Sequence, residues 1–507
     1  MPSVLSTLAA PQSWPVGALV FLLTVAVVLA SRIVPWTRPS FPSKAPRLLK
    51  GWPIIGSTGF FRARCDFLKE NKARDPSGQF SFYYGPHPIV ALSGTSARLS
   101  FYTSRGLDLS AGFSALFAAA PSLNHLSRDV DMPSYFLSMF RRFLHKDWLS
   151  ANIDHLTSDT NAALTGLQVE APIDPFDVMI KLIYQMTHRN FGSHDIAQDP
   201  KLLQETLAAY GRLDNSSGID VMFPKLPTPN RLRRMWAGAK LYWTFQKIIS
   251  ERVATGRSET DALQVMMDQG DSDIVISSFI IGALFAGLIN SGFNAAWILC
   301  FLSEDPVWYA RMQQEVDAAV AKHRVNDTQS PTDILRSLTL EDWESEFPLI
   351  DLGLKDSIRM ITRGIAIRKN ISGKDISIGN TGQVIPKEAF AVYTMDDVHM
   401  DEKYYKNPKT WDPSRYLPGR EEDRQSPHTF LGWGSGLHPC LGMRFARLEI
   451  TITTAMFISS FDFARCDKHG KAATQPLPTV NRNAIGTKLP DQKIFLKLTP
   501  RCEGQKA

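Results

Sequence analysis

Apolar side chains recur at three-to-four spacing over Asp154 to Leu167, Leu232 to Val253, Asp273 to Phe301 and Val307 to Lys322, the period of helices with a buried face. Runs dense in aromatic and β-branched residues lie nearer the two ends. FSFYY (Phe80 to Tyr84) and PIVAL (Pro88 to Leu92), joined by Gly85-Pro86-His87, predict a hairpin, and Val384 to Tyr393 and Lys493 to Leu498 predict further strands. The pattern therefore predicts a mainly α fold with small β-sheets. One stretch is different in kind: Val16 to Ala30 is apolar but for one threonine, and no charge occurs before Arg32. With Trp14 and Trp36 as interfacial anchors and Arg32 snorkelling, it predicts a single membrane-spanning helix. Arg32, Arg38, Lys44, Arg47 and Lys50 all follow the apolar run, so the positive-inside rule leaves the rest of the chain in the cytosol. A cleaved secretory signal is the competing reading, and its basic residues would precede the apolar run. Pro35, Pro39, Pro42, Pro46 and Pro53 then favour extended chain, a stiff spacer. The expected division is an anchor at 1–34, a proline-rich hinge at 35–56 and one body at 57–507, without repeats or a second linker.

Composition narrows the function classes. Of 507 residues, 44% are hydrophobic and 21% charged, enough apolar surface for a large core. The net charge of +6 is spread out rather than blocked, so no nucleic-acid partner is expected. Cys65, Cys300, Cys440, Cys466 and Cys502 are odd in number and far apart, which indicates neither a disulfide framework nor a zinc site.

Cys440 has unusual neighbours. Phe430 to Ala446 reads FLGWGSGLHPCLGMRFA, with Gly432, Gly434, Gly436 and Gly442 around the cysteine. Glycines at this density let backbone approach a flat ligand closely and adopt positive φ. A helix beginning after Gly442 would set the positive end of its dipole near the sulfur and favour a thiolate. The stretch resembles the heme-binding signature of the cytochrome P450 family, F-x-x-G-x-(R/H)-x-C-x-G, matched by Gly436, His438, Cys440 and Gly442, with Trp433 where the family has phenylalanine. The resemblance extends over nearly the whole chain. It implies the family's triangular helical body, with heme b (iron protoporphyrin IX) between a long oxygen-side helix and the cysteine-loop helix. Cys440 would be the axial thiolate and metal ligand; His438 and Arg368 would hold the propionates, and Trp433, Gly436 and Gly442 would pack the cofactor, the indole N–H within reach of the sulfur. Arg141, Arg142 and Lys146, on a helix expected through FRRFLHKDWL, are further propionate candidates or a solvated basic face.

Two supporting motifs depart from the family. Its Glu-x-x-Arg pair is Asp356 and Arg359 here, and WDPSRY supplies Arg415 as the third member of a buried triad. The aspartate is one methylene short, so its bridge must be tighter or water-mediated. In the apolar helix Ile276 to Leu302, Ala286-Gly287-Leu288-Ile289-Asn290-Ser291 stands where the family has (A/G)-G-x-(D/E)-T, and glycine there permits a local break. The acid is Ile289 and the alcohol Asn290. Asn290 and Ser291 are the catalytic candidates for proton relay in a monooxygenase; a heme-thiolate isomerase or dehydratase acting on a peroxide, and a noncatalytic heme or lipid binder, are the alternatives. Phe113, Leu116, Phe117, Phe285, Ile289, Ile361, Ile365 and Ile485 stand where the family lines its pocket, though most could equally be ordinary core, and the resemblance implies a lipophilic small-molecule substrate. By resemblance, the partners of a monooxygenase would be NADPH-cytochrome P450 reductase, docked on a basic face by the cysteine loop, and the bilayer of the endoplasmic reticulum. The sequence around AGLINSGFNAAW looks like fungal members that make secondary metabolites.

Overall fold

Proline at the first helical turn behind a side-chain cap starts several of the helices that frame the centre of the body. In chain order these helices are α1 (Arg64–Ala73), α2 (Met132–Arg142), α3 (Lys146–Thr165), α4 (Pro175–Phe191), α5 (Pro229–Thr255), α6 (Asp273–Leu302), α7 (Pro306–His323), α8 (Pro348–Ile361) and α9 (Met443–Ser460). Asp174 caps α4 through Phe176 N–H, Thr228 caps α5 through Arg231 N–H, and Asp305 caps α7 through the N–H groups of Val307 and Trp308. α8 is capped from elsewhere in the fold: Glu315 of α7 accepts from Leu349 N–H at 2.6 Å and Ile350 N–H at 3.1 Å. This computed structural model describes residues 17–20, 24, 38–116, 130–213, 217–223, 226–362, 364–483 and 489–501. Most of the expected anchor Val16 to Ala30, with Trp14, Arg32 and Trp36, lies outside the described residues, as do Pro35, Phe117, Ile485 and Cys502.

α6 is the axis of the body, packed most extensively against α4 and then against α8 and α9. Among the described residues it alone is long and apolar enough to cross a membrane, yet 61% of its most apolar window is buried inside the protein, as a core helix requires. Its residues that escape burial include Phe285, Ala286, Gly287, Ile289 and Asn290, all of which wall a cavity. α6 is continuous helix through Ala286 and Gly287, so the expected local break is absent; a Cβ on Gly287 would meet only Thr187 at 3.8 Å.

The hairpin forms as expected, β1 (Phe80–Tyr84) with β2 (His87–Leu92), and belongs to a five-stranded sheet with β3 (Leu107–Asp108), β4 (Ile365–Asn370) and β5 (Phe390–Thr394) in the order β1-β2-β5-β4-β3. β2 and β5 run parallel, with Ile89 opposite Phe390; the other pairs are antiparallel. Phe461–Cys466 pairs with Phe495–Pro500 near the C-terminus. The proline-rich segment from Arg38 onward is stitched to the sheet rather than held away from it. Leu49 N–H donates to Ser81 O, Ser81 N–H to Arg47 O and Ser57 N–H to Tyr83 O, while Arg38 reaches the carbonyls of Gly85 and Ile54.

The helix expected through FRRFLHKDWL is two helices. α2 stops at Arg142 and α3 starts at Lys146. The intervening turn is held by tertiary bonds, with Asn190 Nδ2 donating to Phe143 O and Trp148 Nε1 donating to Asn190 O.

Candidate active site

The loop before α9 turns on two glycines whose backbone no other residue adopts cheaply. Gly434 has φ +70° and Gly436 φ +63°. A Cβ on Gly436 would lie 2.1 Å from Tyr102 O, the carbonyl to which Leu437 N–H donates, so the loop is pressed onto the helix carrying Tyr102. Gly434–Ser435 pairs with His438–Pro439, and Cys440 N–H donates to Trp433 O at 2.7 Å, closing the turn. Cys440 Sγ lies near the N–H groups of Gly442 and Met443 at the start of α9, which favour its ionised form. Burial outweighs these donors and leaves the free thiol above its ordinary pKa, so the two N–H groups alone do not ionise it. The Trp433 indole makes no hydrogen bond to the sulfur; that expectation is corrected, and Trp433 holds Cys440 through its carbonyl. Among the described cysteines the other three are unlike Cys440: Cys300 and Cys466 are buried, and Cys65 is hydrogen-bonded to Asp396, its thiol pushed up to about 12 chiefly by burial.

Behind the loop, α8 buries Asp356 and Arg359 completely. Arg359 Nε and Nη2 meet the two oxygens of Asp356 at 2.7 and 3.2 Å. The remaining capacity of Asp356 is taken by Tyr416 Oη–H at 2.9 Å and Asp412 N–H at 2.7 Å. Arg415, expected as the third member, stands 3.8 Å from Asp356 through Nε, an atom without a hydrogen bond. Its carboxylate is Glu422, at 2.8 Å. The short aspartate side chain hydrogen-bonds to Arg359 and Tyr416 and meets Arg415 as a longer ion pair, so the expected triad forms with Glu422 added to it. Both arginines also gather carbonyls, Arg359 those of His399, Pro408 and Thr410, and Arg415 those of Lys406, Asn407 and Thr410. They thereby fix the irregular chain leading to the cysteine loop.

His399 ties that chain to the loop by accepting Leu431 N–H through Nε2 at 2.9 Å. Burial first, then the charges of Arg359, Arg482 and Arg98, pull its pKa to about 3. The folded protein thus holds it neutral, whereas the unfolded chain protonates near 6.5. Its contribution to stability is complete above about pH 6.5 and is lost as pH falls toward 3. By linkage the loss is about 2 kcal/mol at pH 5. Urea denaturation at pH 7.5 and 5 should show this loss, and His399→Gln should reduce it; an unchanged pH dependence in the variant would place the acid sensitivity elsewhere.

Cys440, Gly432, Trp433, Gly434, His438 and Gly442 wall a cavity of about 610 Å³ between α6 and α9. Gly436 packs on Tyr102 instead and does not reach it. Phe113, Phe136, Phe140, Phe191, Phe285 and Phe445 make the cavity largely apolar. At one end Arg368 is 3% exposed, and its Nε and Nη1 have no hydrogen-bond partner. Beside it, His438 has its pKa lowered by burial and by the Arg368 charge. A buried guanidinium with two unused donors, next to a second donor residue, suits the carboxylates of a flat apolar cofactor whose metal meets Cys440. The residues present therefore fit a heme. Arg141, Arg142 and Lys146 do not wall the cavity; Arg141 and Arg142 are exposed, and Lys146 pairs with Glu341.

Asn290 faces the cavity from α6, its backbone carbonyl accepting from Asn294 Nδ2 at 2.8 Å. Ser291 is 4% exposed and turned toward Glu449 of α9. Glu449, absent from the sequence expectations, is fully buried, with no hydrogen bond of good geometry to either oxygen, and burial raises its pKa far above the carboxylate range. It is a neutral acid at the wall of the cavity. Its only sequence signal is an acid within an apolar helix. Phe113, Phe285, Ile289 and Ile365 line the cavity as expected, whereas Leu116 and Ile361 are ordinary core.

The chain is similar to known proteins over most of its length. Cytochrome P450 monooxygenase AacuE of Aspergillus aculeatus is 31% identical over 492 residues, covering 95% of this chain and 98% of the relative. Cytochrome P450 monooxygenase nsrP of Aspergillus novofumigatus is 32% identical over 469 residues, 89% of each. Retinoic acid bound cyanobacterial CYP120A1 shares the fold, with TM-score 0.70 at 20% identity over 91% of this chain and 100% of that one. The model of the cytochrome P450 family matches residues 46–490, from before β1 through the cysteine loop and α9, and the chain is accordingly a member of that heme-thiolate monooxygenase family.

Proposed function

We propose that this protein is a heme b monooxygenase that inserts one atom of O2 into a lipophilic small molecule in fungal secondary metabolism. Cys440 would supply the thiolate that holds the heme iron in this reading. The observation that carries it is the placement of Cys440, with two amide N–H groups near its sulfur, at the wall of an apolar cavity that also presents Arg368 and His438, groups that suit propionates. The heme supplies oxygen activation when bound. The chain's own part is to orient and to move protons. Phe113, Phe285, Ile289 and Ile365 hold the substrate by burial, and Asn290 presents its amide to the reacting face. Ser291, one residue on, is turned toward the buried carboxyl of Glu449 on α9 and is the second candidate for proton relay. Gly442 and Met443 N–H groups temper the thiolate's charge.

Electrons would come from NADPH through NADPH-cytochrome P450 reductase, with the chain anchored in the endoplasmic reticulum membrane by its first 34 residues, joined through residues 35–56 to the catalytic body. The docking face would use exposed Arg141 and Arg142, which follow Phe140, a ring that approaches Gly442. Arg444 and Arg447 beside the loop are already paired with Glu344 and Asp351. In reductase-containing vesicles, NADPH-dependent incorporation of 18O from 18O2 into a lipophilic product is expected. Consumption of an organic hydroperoxide without NADPH, and no label from O2, would replace this reading with the isomerase or dehydratase one.

A further inference from the structure

Besides Cys440 and the phenol of Tyr102, four ionisable side chains wall the cavity: Arg64, Arg368, His438 and Glu449. Arg368 and His438 suit the cofactor's carboxylates, and Glu449 is neutral. Arg64 has no such occupation. It opens α1 and is 3% exposed, with its guanidinium over the rings of Phe60 at 4.8 Å and Phe61 at 4.9 Å. Nε donates to Phe60 O at 3.1 Å, and Nη2 is buried without a partner. Among the described residues no carboxylate lies within ion-pair distance of it. The acids close to it in sequence or fold are engaged elsewhere, Asp66 with Asn483 and Asp396 with Arg482 and Cys65. Burial pulls its pKa down to about 10, which still leaves it charged at neutral pH. A buried cation with phenyl rings over it, one carbonyl on Nε and no carboxylate in reach is costly, and an anion brought by a ligand would offset that cost where a neutral ligand would not.

We propose that Arg64 binds an anionic oxygen of the substrate, a carboxylate or an ionised phenol, so that this enzyme selects lipophilic acids over neutral lipids of the same shape. The inference rests on the monooxygenase reading for what the cavity does with its ligand. The charge at Arg64 and the apolar wall of Phe113, Phe136, Phe285 and Ile365 together fix a ligand with one acidic end and a hydrocarbon body.

The test is binding by calorimetry to heme-loaded full-length protein at pH 8, using two acid and neutral pairs: dodecanoate with dodecanol, and 4-nitrophenolate with 4-nitroanisole. At least one acid should bind about tenfold or more tighter than its neutral partner, and whichever pair shows this identifies the kind of anion. Arg64→Gln should remove the preference by weakening the acid alone, and Arg64→Lys should keep part of it. Equal affinities within both pairs, binding of neither acid, or a preference that survives Arg64→Gln would overturn the proposal. So would loss of heme in Arg64→Gln with the acid preference intact, which would give Arg64 to the cofactor. Should Arg64→Gln not fold, the wild-type comparison and Arg64→Lys decide. A wild type without a thiolate-type carbon monoxide spectrum would defeat the monooxygenase reading, while the calorimetric preference would be judged separately.

Discussion

Cys440→Ala is expected to lose the thiolate-type Soret band of the reduced carbon monoxide complex completely, together with all NADPH-dependent turnover, while the polypeptide still folds. The two halves of this result have different causes. The thiolate is the one side chain on the loop able to push electron density to the iron, and neither alanine nor a water at its place does so. The fold is spared because the loop is closed by backbone groups: Cys440 N–H to Trp433 O, Leu437 N–H to Tyr102 O and Gly434 N–H to Leu431 O. Only two weak contacts to sulfur are lost, and Cys440 is not part of the packed core. Spectra recorded beside circular-dichroism melts separate the outcomes. A retained thiolate band would sink the assignment of Cys440, and a collapsed melt would show that the sulfur is structural.

Asp356→Asn should cost about 3–5 kcal/mol, the largest loss of stability expected from a single near-isosteric change here. It removes the charge opposite Arg359, which has no exposed surface through which to recover water, and weakens the bonds from Tyr416 and Asp412. Against the usual 5–15 kcal/mol for a folded domain, that is enough to loosen the chain from His399 to Thr410. Urea denaturation and the fraction of protein recovered with heme should fall together. Double replacement of Asp356 and Arg359 by apolar residues of similar volume should be less damaging than the single change, since no buried charge is then left alone. If Asp356→Asn melts like the wild type, the pair contributes position rather than stability.

How far the sequence could be read follows from how local each determinant is. The hairpin at Phe80 to Leu92 and the long helix from Asp273 declare themselves by period, and Cys440 by the glycines around it. The pairing of Arg415 was legible only in part, because Glu422 lies in irregular chain whose path no periodicity describes. The split between α2 and α3 was hidden for a related reason: Asn190 and Trp148, which hold the turn at Phe143, act across the fold. Arg64 and Glu449 were missed because period says which residues share a face but not which faces converge on one cavity. The unbroken course of α6 past Gly287 likewise reflects packing against α4, which glycine's freedom alone does not decide.

The stitching of residues 38–57 to β1 sets where a shortened chain can begin. A cut before Arg38 removes none of the backbone bonds to Ser81 and Tyr83, and it keeps the guanidinium that grips Gly85 and Ile54. A cut after Gly56 strips one side of β1 and exposes an unpaired edge, an invitation to self-association. The same stitching acts as a mechanical coupling. A pull applied at Arg38 is borne by β1 before it can reach the helices around Cys440.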